Sequence, residues 1–212
     1  MAVYDLEEQE QLDDLKAWWL RYGKYVGAAL SAIAVALLVS IGWRWYEQNQ
    51  SAQASALYQA VSQAARDNDA AKAKEPATQI EDRFGGTAYA PRAAMIYAKL
   101  LYDAGDHAGT RAQLQWVIDH SSEDELKAIA RFRLAESLLD EKQYDQALGV
   151  LDAKTDEAFA ALFADLRGDV LAAAGKPADA KAAYQLALSK IDPKSPYRGF
   201  IQVKFDALGG AQ

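Results

Sequence analysis

The sequence contains no cysteine, and prolines number only five in 212 residues. Without cysteine the chain forms no disulfide, no thiolate metal site and no cysteine nucleophile. Such a chain suits an oxidising compartment, where stray thiols would pair. Basic residues are also scarce, because 23 Lys and Arg stand against 30 Asp and Glu for a net charge of −7. No basic stripe of the kind that binds nucleic acid runs along the chain, so we expect no nucleic-acid partner.

Catalytic motifs are lacking as well. The sequence holds no HExxH, GxSxG, GxGxxG or P-loop pattern. Its two histidines, His107 and His120, fall in a predicted turn and at a predicted helix end, where water solvates them. Asp165 and Asp169 lie on one helical face, but a hard cation such as Ca²⁺ prefers six or more oxygen ligands. We therefore predict no catalytic residues, no metal and no cofactor, and a protein that is not an enzyme.

What the sequence does contain is alanine. Hydrophobic residues make up 51% of the chain, and much of that share is alanine rather than the valine, isoleucine and phenylalanine typical of sheets. Alanine is the best helix former and a poor strand former. The composition therefore predicts an all-α fold.

One uncharged stretch, residues 25–43, is long enough to cross a membrane. Its nineteen residues would form a helix of about 29 Å, close to the roughly 30 Å hydrocarbon core of a bilayer. Lys24 and Arg44 close its two ends. Aromatic side chains, which favour the headgroup layer, stand near both boundaries: Tyr22, Tyr25, Trp43, Trp45 and Tyr46. The alternative is a buried helix of a soluble core, but such a helix rarely stays uncharged over this length.

The leader and the flanking charges predict how this stretch is used. Residues 1–24 are long and acidic, and no A-x-A cleavage pattern follows the apolar run, which favours an uncleaved signal anchor over a signal peptide. Lys16, Arg21 and Lys24 precede the span, whereas only Arg44 stands in the twenty residues after it. The positive-inside rule then predicts a single-pass protein with a cytoplasmic tail and a C-terminal domain outside, which in a bacterium is the periplasm.

Small residues form a row along one face of the predicted span. Such a row lets a partner helix approach closely in the membrane, although a span rich in alanine also shows such rows by chance, and both interpretations stay open. The predicted helix-packing residues are Gly27, Ala28, Ser31, Ala32, Ala36 and Ser40.

Beyond the span, the chain repeats itself. Residues 44–90 predict a membrane-proximal helix pair, a degenerate first repeat. Residues 91–118, 128–152 and 161–188 then align with offsets of 37 and 33. Two helices per unit at a period near 34 are typical of tetratricopeptide (TPR) repeats, in which a small residue lets the two helices cross closely. The equivalent small residues are Ala98, Ala135 and Gly168; turn residues are Gly105, Lys142 and Gly175; Ala180 and Tyr184 lie in the last second helix.

The predicted fold is therefore an N-terminal transmembrane helix followed by a TPR-like α-solenoid of three to four helix pairs, with residues 91–212 as its main domain. Residues 196–208 place Phe200, Ile201, Phe205 and Leu208 on one helical face, which predicts a C-terminal helix that caps the array. Arg167 is expected to pair with a carboxylate of a neighbouring helix and to fix the last unit.

The first helix of each TPR unit lines a concave surface. An apolar, sparsely charged surface of this kind suits weak capture of extended or unfolded chains. The alternative is that the C-terminal helix fills the groove and turns its apolar residues into ordinary core. By the repeat alignment the groove residues are Arg92, Met95, Lys99 and Tyr102, then Ile129, Phe132, Glu136 and Leu139, then Leu162, Asp165 and Asp169.

Three stretches of the chain resemble the YfgM family. They are the end of the span, Ile41-Gly42-Trp43-Arg44-Trp45-Tyr46, and two repeat segments, residues 126–135 and 164–169. The resemblance covers essentially the whole chain and is densest over residues 120–190. It implies an ancillary subunit of the SecYEG translocon in the bacterial inner membrane, which passes emerging polypeptides to periplasmic chaperones in company with PpiD.

Two other functions remain open at this stage. Membrane-anchored TPR proteins also serve as scaffolds for envelope assembly. The acidic part of the leader, Asp5 to Asp14, could alternatively hold a cytoplasmic regulator of an envelope stress response, although a solvated, disordered tail explains the same composition.

Overall fold

The computed structural model describes residues 2–154 and 156–209, with side chains from residue 11 onward. Within these ranges the regular structure is entirely helical and no strand occurs, as the alanine-rich composition predicts. The helices are α1 (Ala2–Arg66), α2 (Ala70–Phe84), α3 (Tyr89–Asp103), α4 (His107–His120), α5 (Asp124–Asp140), α6 (Tyr144–Leu151), α7 (Glu157–Ala173), α8 (Pro177–Lys190) and α9 (Arg198–Ala207). The chain divides into two compact units, Met1–Gln50 and Ser51–Gln212.

The first unit is the N-terminal part of α1. The described stretch Gln11–Arg66 contains a window of mean hydropathy 2.2 with no buried residues, long and apolar enough to cross a membrane by length and composition. Large apolar side chains such as Leu30, Leu38 and Ile41 are exposed around the helix, as expected of a surface that faces lipid. The predicted row of small residues is exposed too, and the Ser40 hydroxyl donates to its own helix at the carbonyl of Leu37, at 2.8 Å.

The second unit begins with a helix pair made of residues 51–66 of α1 together with α2. The turn between them holds Asn68 at a positive φ of 52°. Asp69 then caps α2 by accepting from the Lys72 backbone N–H at 3.0 Å. Val61 and Ile80 are fully buried in the core that this pair shares with α3.

Three further pairs follow, α3 with α4, α5 with α6 and α7 with α8, and their turns share one geometry. The residues at the three aligned turn positions, Gly105, Lys142 and Gly175, have φ values of 78°, 60° and 73°. In each turn the next amide bonds back to a carbonyl five residues earlier, as Gln143 N does to Leu138 O at 2.8 Å. This is the Schellman ending of a helix, which requires a left-handed residue.

The crossing of the two helices within each pair also follows the predicted pattern. Ala98, Ala135 and Ala180 are buried between helices. At Gly168 an added Cβ would overlap the ring of Tyr184 on α8. Only glycine therefore allows α7 and α8 to approach this closely around a tyrosine.

The last helix, α9, packs on α8 through a core that includes the fully buried Ile201, with Phe205 and Leu208 partly buried beside it. This agrees with a predicted capping helix, but the expectation for Phe200 is wrong, since its side chain is 67% exposed. Residue 200 lies about 100° around the helix from Ile201, which puts it off the packed face.

Candidate functional site

A groove of about 640 Å³ opens in the second unit between the first helices of successive pairs. Helices α3 and α5 supply most of its wall, and α4 and α7 supply the remainder. Tyr102 and Ile129 are 40% and 39% exposed, although both are large apolar side chains. The lining residues are Met95, Ala98, Lys99, Tyr102, Asp103, Thr110, Leu114, Ile129, Arg133, Glu136, Ser137, Leu139, Asp140, Leu166 and Asp169.

Many of the groove residues predicted from the repeat alignment line this groove. They are Met95, Lys99, Tyr102, Ile129, Glu136, Leu139 and Asp169. The alignment identifies the inward side of α3 and α5 because the two helices repeat the same packing with a fixed offset. The binding role of these residues stays a prediction.

Arg92 and Phe132 are not in the groove. The Arg92 guanidinium donates to both carboxylate oxygens of Glu123, at 2.6 and 2.7 Å. This hydrogen bond raises the pKa of Arg92 and lowers that of Glu123. Phe132 contacts Phe163 with ring centroids 6.2 Å apart and packs against the main core. Arg92 therefore ties α3 to the loop before α5, and Phe132 is core.

Asp165 does not face an open groove either, and the prediction that it does is wrong. The residue as a whole is only 2% exposed. It accepts from the Tyr197 hydroxyl at 3.0 Å and from the Lys204 ammonium at 2.9 Å. The alternative considered from the sequence, that the C-terminal helix covers the inner surface, therefore holds for the third pair.

Asp169 lies at the boundary between the covered and the open surface. It lines the groove, yet it also accepts from Lys204 at 2.7 Å and from the Tyr184 hydroxyl at 2.8 Å. Burial and this hydrogen bond raise the pKa of Tyr184. The pKa of Lys204 is also raised: burial opposes its charge, but the hydrogen bonds to the two aspartates outweigh that cost.

Arg133 and Asp140 line the groove but were missed from the sequence. Both follow from helical spacing once Ile129 is fixed as inward, because 129, 133, 136 and 140 form one row with the predicted Glu136. Asp140 accepts a hydrogen bond from the Tyr102 hydroxyl across the groove, and this bond, with burial and the nearby carboxylates, raises the pKa of Tyr102.

Two further expectations concern polar chemistry. Arg167 pairs with Asp152 at the end of α6, which joins the second and third pairs as expected from the sequence. The described residues include no group of three or more His, Asp or Glu side chains arranged to hold a metal ion. The groove therefore offers surfaces for contact, with apolar walls and scattered charges.

The helix pairs, their groove and the apolar N-terminal helix define a class, the TPR-like proteins with a candidate membrane anchor. The family model described as a tetratricopeptide repeat-like domain matches residues 16–210. A solved structure of a MamA RS-1 ArsTM double mutant has a TM-score of 0.51 and 20% sequence identity, over 74% of this chain and 89% of that one. At that identity the likeness bears on the fold alone.

Curated relatives narrow the class to one family. A protein from Neisseria gonorrhoeae is 31% identical over 98% of this chain and 100% of its own length. One from Haemophilus influenzae is 30% identical over 87% of this chain and 90% of its own length, and one from Escherichia coli is 30% identical over 98% and 99%. Each is named ancillary SecYEG translocon subunit. The chain belongs to this family, the YfgM family, and its apolar N-terminal helix is consistent with an inner-membrane protein.

Proposed function

We propose that the protein is a non-enzymatic interaction subunit associated with the SecYEG translocon in the bacterial inner membrane. The acidic tail lies in the cytoplasm and the repeat domain lies in the periplasm. Its groove receives polypeptides that emerge from the membrane and passes them to a periplasmic chaperone such as PpiD. The observation that carries this proposal is the open groove between α3 and α5, in a family whose members bear the translocon name.

The surface of the groove suits brief capture. Exposed Tyr102 and Ile129 offer apolar area, with Met95 and Leu139 beside them. Large apolar side chains left exposed in a concave surface commonly mark interaction sites. A few apolar contacts per client, each adding about 1 to 3 kcal/mol, favour weak binding, which lets a chain move on to the next chaperone.

The proposed orientation rests on charge. Lys16, Arg21 and Lys24 precede the candidate span, and Arg44 is the only basic residue within the twenty positions that follow it. Short basic flanks are retained on the cytoplasmic side. With this orientation the repeat domain lies on the side where translocated chains appear.

A site-specific photocrosslinker tests the groove. Placed at Tyr102 in the membrane-embedded protein, it should capture Sec subunits, a chain in transit or a periplasmic chaperone. The matched control is Gln115, which is exposed on α4 and does not line the groove. Equal adducts at both positions, or none at Tyr102, would contradict the proposal, and adducts with envelope-synthesis enzymes would favour the scaffold alternative.

We also propose that the row of small residues in the span contacts a helix of the translocon. Close approach needs small side chains, so Ala32→Leu should reduce recovery of Sec components in mild-detergent purification. Ala34→Leu, two positions along and therefore on another face, is the control. Unchanged recovery with Ala32→Leu would leave the span as a tether alone.

A further inference from the structure

The inner surface of the third helix pair already has an occupant, supplied by the chain itself. Helix α9 presents the Lys204 ammonium to both Asp165 and Asp169, at 2.9 and 2.7 Å. From just before α9, the Tyr197 hydroxyl donates to Asp165 at 3.0 Å. A lysine of α9 and a tyrosine that directly precedes the helix thus bond the carboxylates in this part of the concave surface.

The open part of the groove continues the same surface with a similar charge pattern. Four of its lining residues are carboxylates, Asp103, Glu136, Asp140 and Asp169, and two are cations, Lys99 and Arg133. The cations are engaged by carboxylates one turn away on their own helices: Lys99 with Asp103 at 2.5 Å, and Arg133 with Glu136 at 2.8 Å.

Among the carboxylates that line the open groove, Asp140 is the one for which the described residues supply no ion pair. Asp169 shares the Lys204 ammonium with Asp165, whereas Asp140 accepts only the neutral Tyr102 hydroxyl among the contacts of the described residues. Among the residues that the structure describes, no lysine or arginine forms an ion pair with Asp140. The carboxylate is exposed at the groove wall, where a cation from outside can reach it.

The groove wall also contains a buried polar side chain. Ser137 lines the groove and is only 1% exposed, and its Oγ has no hydrogen-bond partner in the described structure. The residues two positions after the small residue in the other pairs are Leu100 and Val170, both buried and apolar. A hydroxyl in place of an aliphatic side chain costs free energy unless it is bonded.

We propose that the open groove selects polypeptide segments in which a lysine or arginine lies among apolar residues, with the cation held by Asp140. The apolar neighbours pack on Met95, Ile129 and Leu166, which line the groove. Within the chain itself, Lys204 of α9 is held by Asp165 and Asp169 in the way we propose for the client's cation and Asp140. The inference rests on the proposed function, because it names the class of client that the same groove receives.

Peptide binding to the full-length protein in nanodiscs of zwitterionic lipid tests the selection. Three fluorescent peptides share one apolar sequence of about nine residues and differ only at the centre, which is lysine, glutamine or glutamate. A partly screened ion pair contributes about 0.5 to 1.4 kcal/mol. The lysine peptide should therefore bind about 2- to 10-fold more tightly than the glutamine peptide, with the glutamate peptide weakest. Empty nanodiscs measure binding to lipid.

Asp140→Asn assigns the effect to the groove. It keeps an acceptor for the Tyr102 hydroxyl, so the fold is retained, and it should bring the lysine and glutamine peptides to nearly equal affinity. Asp145→Asn on α6, exposed and outside the groove, changes net charge equally and should leave the preference intact.

The outcomes separate the two proposals. Equal affinity of the three peptides for the unaltered protein overturns the selection while the groove remains a polypeptide site. Loss of the preference in both variants overturns the role of Asp140, because net charge then accounts for it. No binding of any peptide overturns groove capture itself.

Discussion

Replacing Lys204 by methionine removes the cation that holds α9 on α7 while keeping most of the side-chain volume. The Asp165 carboxylate then loses its ion-pair partner in a site where its side chain is 3% exposed. Removing one partner of a fully buried pair costs about 3 to 5 kcal/mol. Here the Lys204 side chain is 31% exposed and the Tyr197 hydroxyl still bonds Asp165. Solvent screening roughly halves that cost, and we expect a loss of about 2 kcal/mol.

Urea unfolding of the full-length protein in detergent micelles measures this loss. Lys194→Met is the control, since Lys194 is exposed in the loop before α9, and it should change the free energy of unfolding by less than about 0.5 kcal/mol. Hydrogen exchange should be faster in α9 of Lys204→Met and unchanged in α3 and α4, because the lost contacts are local.

A double-mutant cycle separates the ion pair from other effects of the substitution. Asp165→Asn removes the charge that Lys204 neutralises, so the two substitutions should couple by about 1 to 2 kcal/mol. Additive losses, or a loss below about 0.5 kcal/mol for Lys204→Met alone, would refute the reasoning that this ion pair anchors α9.

The pH dependence of the same anchor follows from the raised pKa of Lys204. A raised folded-state pKa favours the protonated form of Lys204, so the ion pair's contribution to stability is fully present below the unfolded pKa of about 10.4 and is lost as pH rises through the folded pKa. Tyr184 acts in the same direction, because its pKa is raised as well. The deficit of Lys204→Met should therefore be constant from about pH 6 to 9 and shrink only in stronger alkali.

Three other substitutions test the repeat geometry and a half-buried carboxyl by the same unfolding assay. Lys142→Gly should stabilise by about 0.5 to 1 kcal/mol, because φ is 60° there and glycine adopts it without strain; a loss would contradict this. Gly168→Ala should destabilise the fold by about 1 to 3 kcal/mol, since its Cβ meets the Tyr184 ring. A gain in stability would contradict this, because it would mean that the ring moves aside without cost. Burial raises the pKa of Glu81, so the fold favours the neutral carboxyl. The ionised carboxylate therefore lowers the free energy of unfolding once the pH exceeds that pKa. Glu81→Gln should thus stabilise by about 0.5 to 1 kcal/mol at pH 7 and not at about pH 4; an advantage equal at both pH values would oppose this reading.

The helix pairs could be predicted from the sequence because their signals are local. A residue with positive φ ends the first helix in each of the three aligned pairs. Glycine occupies this position in two of them, as Gly105 and Gly175, and Lys142 is the aligned residue of the other pair. Small residues at a fixed offset then identify the crossing points. These signals depend on backbone geometry within a few residues, which neighbouring units repeat.

The occupancy of the groove could not be predicted in the same way. Lys204 lies 39 residues after Asp165, and Glu123 lies 31 residues after Arg92. Which cation reaches which carboxylate depends on how the chain returns across the array, and no local pattern encodes that. An error of one position in helical phase, about 100°, also suffices to place Phe132 in the groove and leave out Arg133.

A chain arrested during translocation tests the central claim most directly. A photocrosslinker at Ile129, in the groove and exposed, is introduced into inner-membrane vesicles in which a secretory polypeptide is stalled at increasing lengths. The account predicts adducts between Ile129 and the stalled chain once enough residues have crossed the bilayer, and none from the exposed control position Gln115 on α4. Adducts that are absent at every length, or that form equally at both positions, would contradict it.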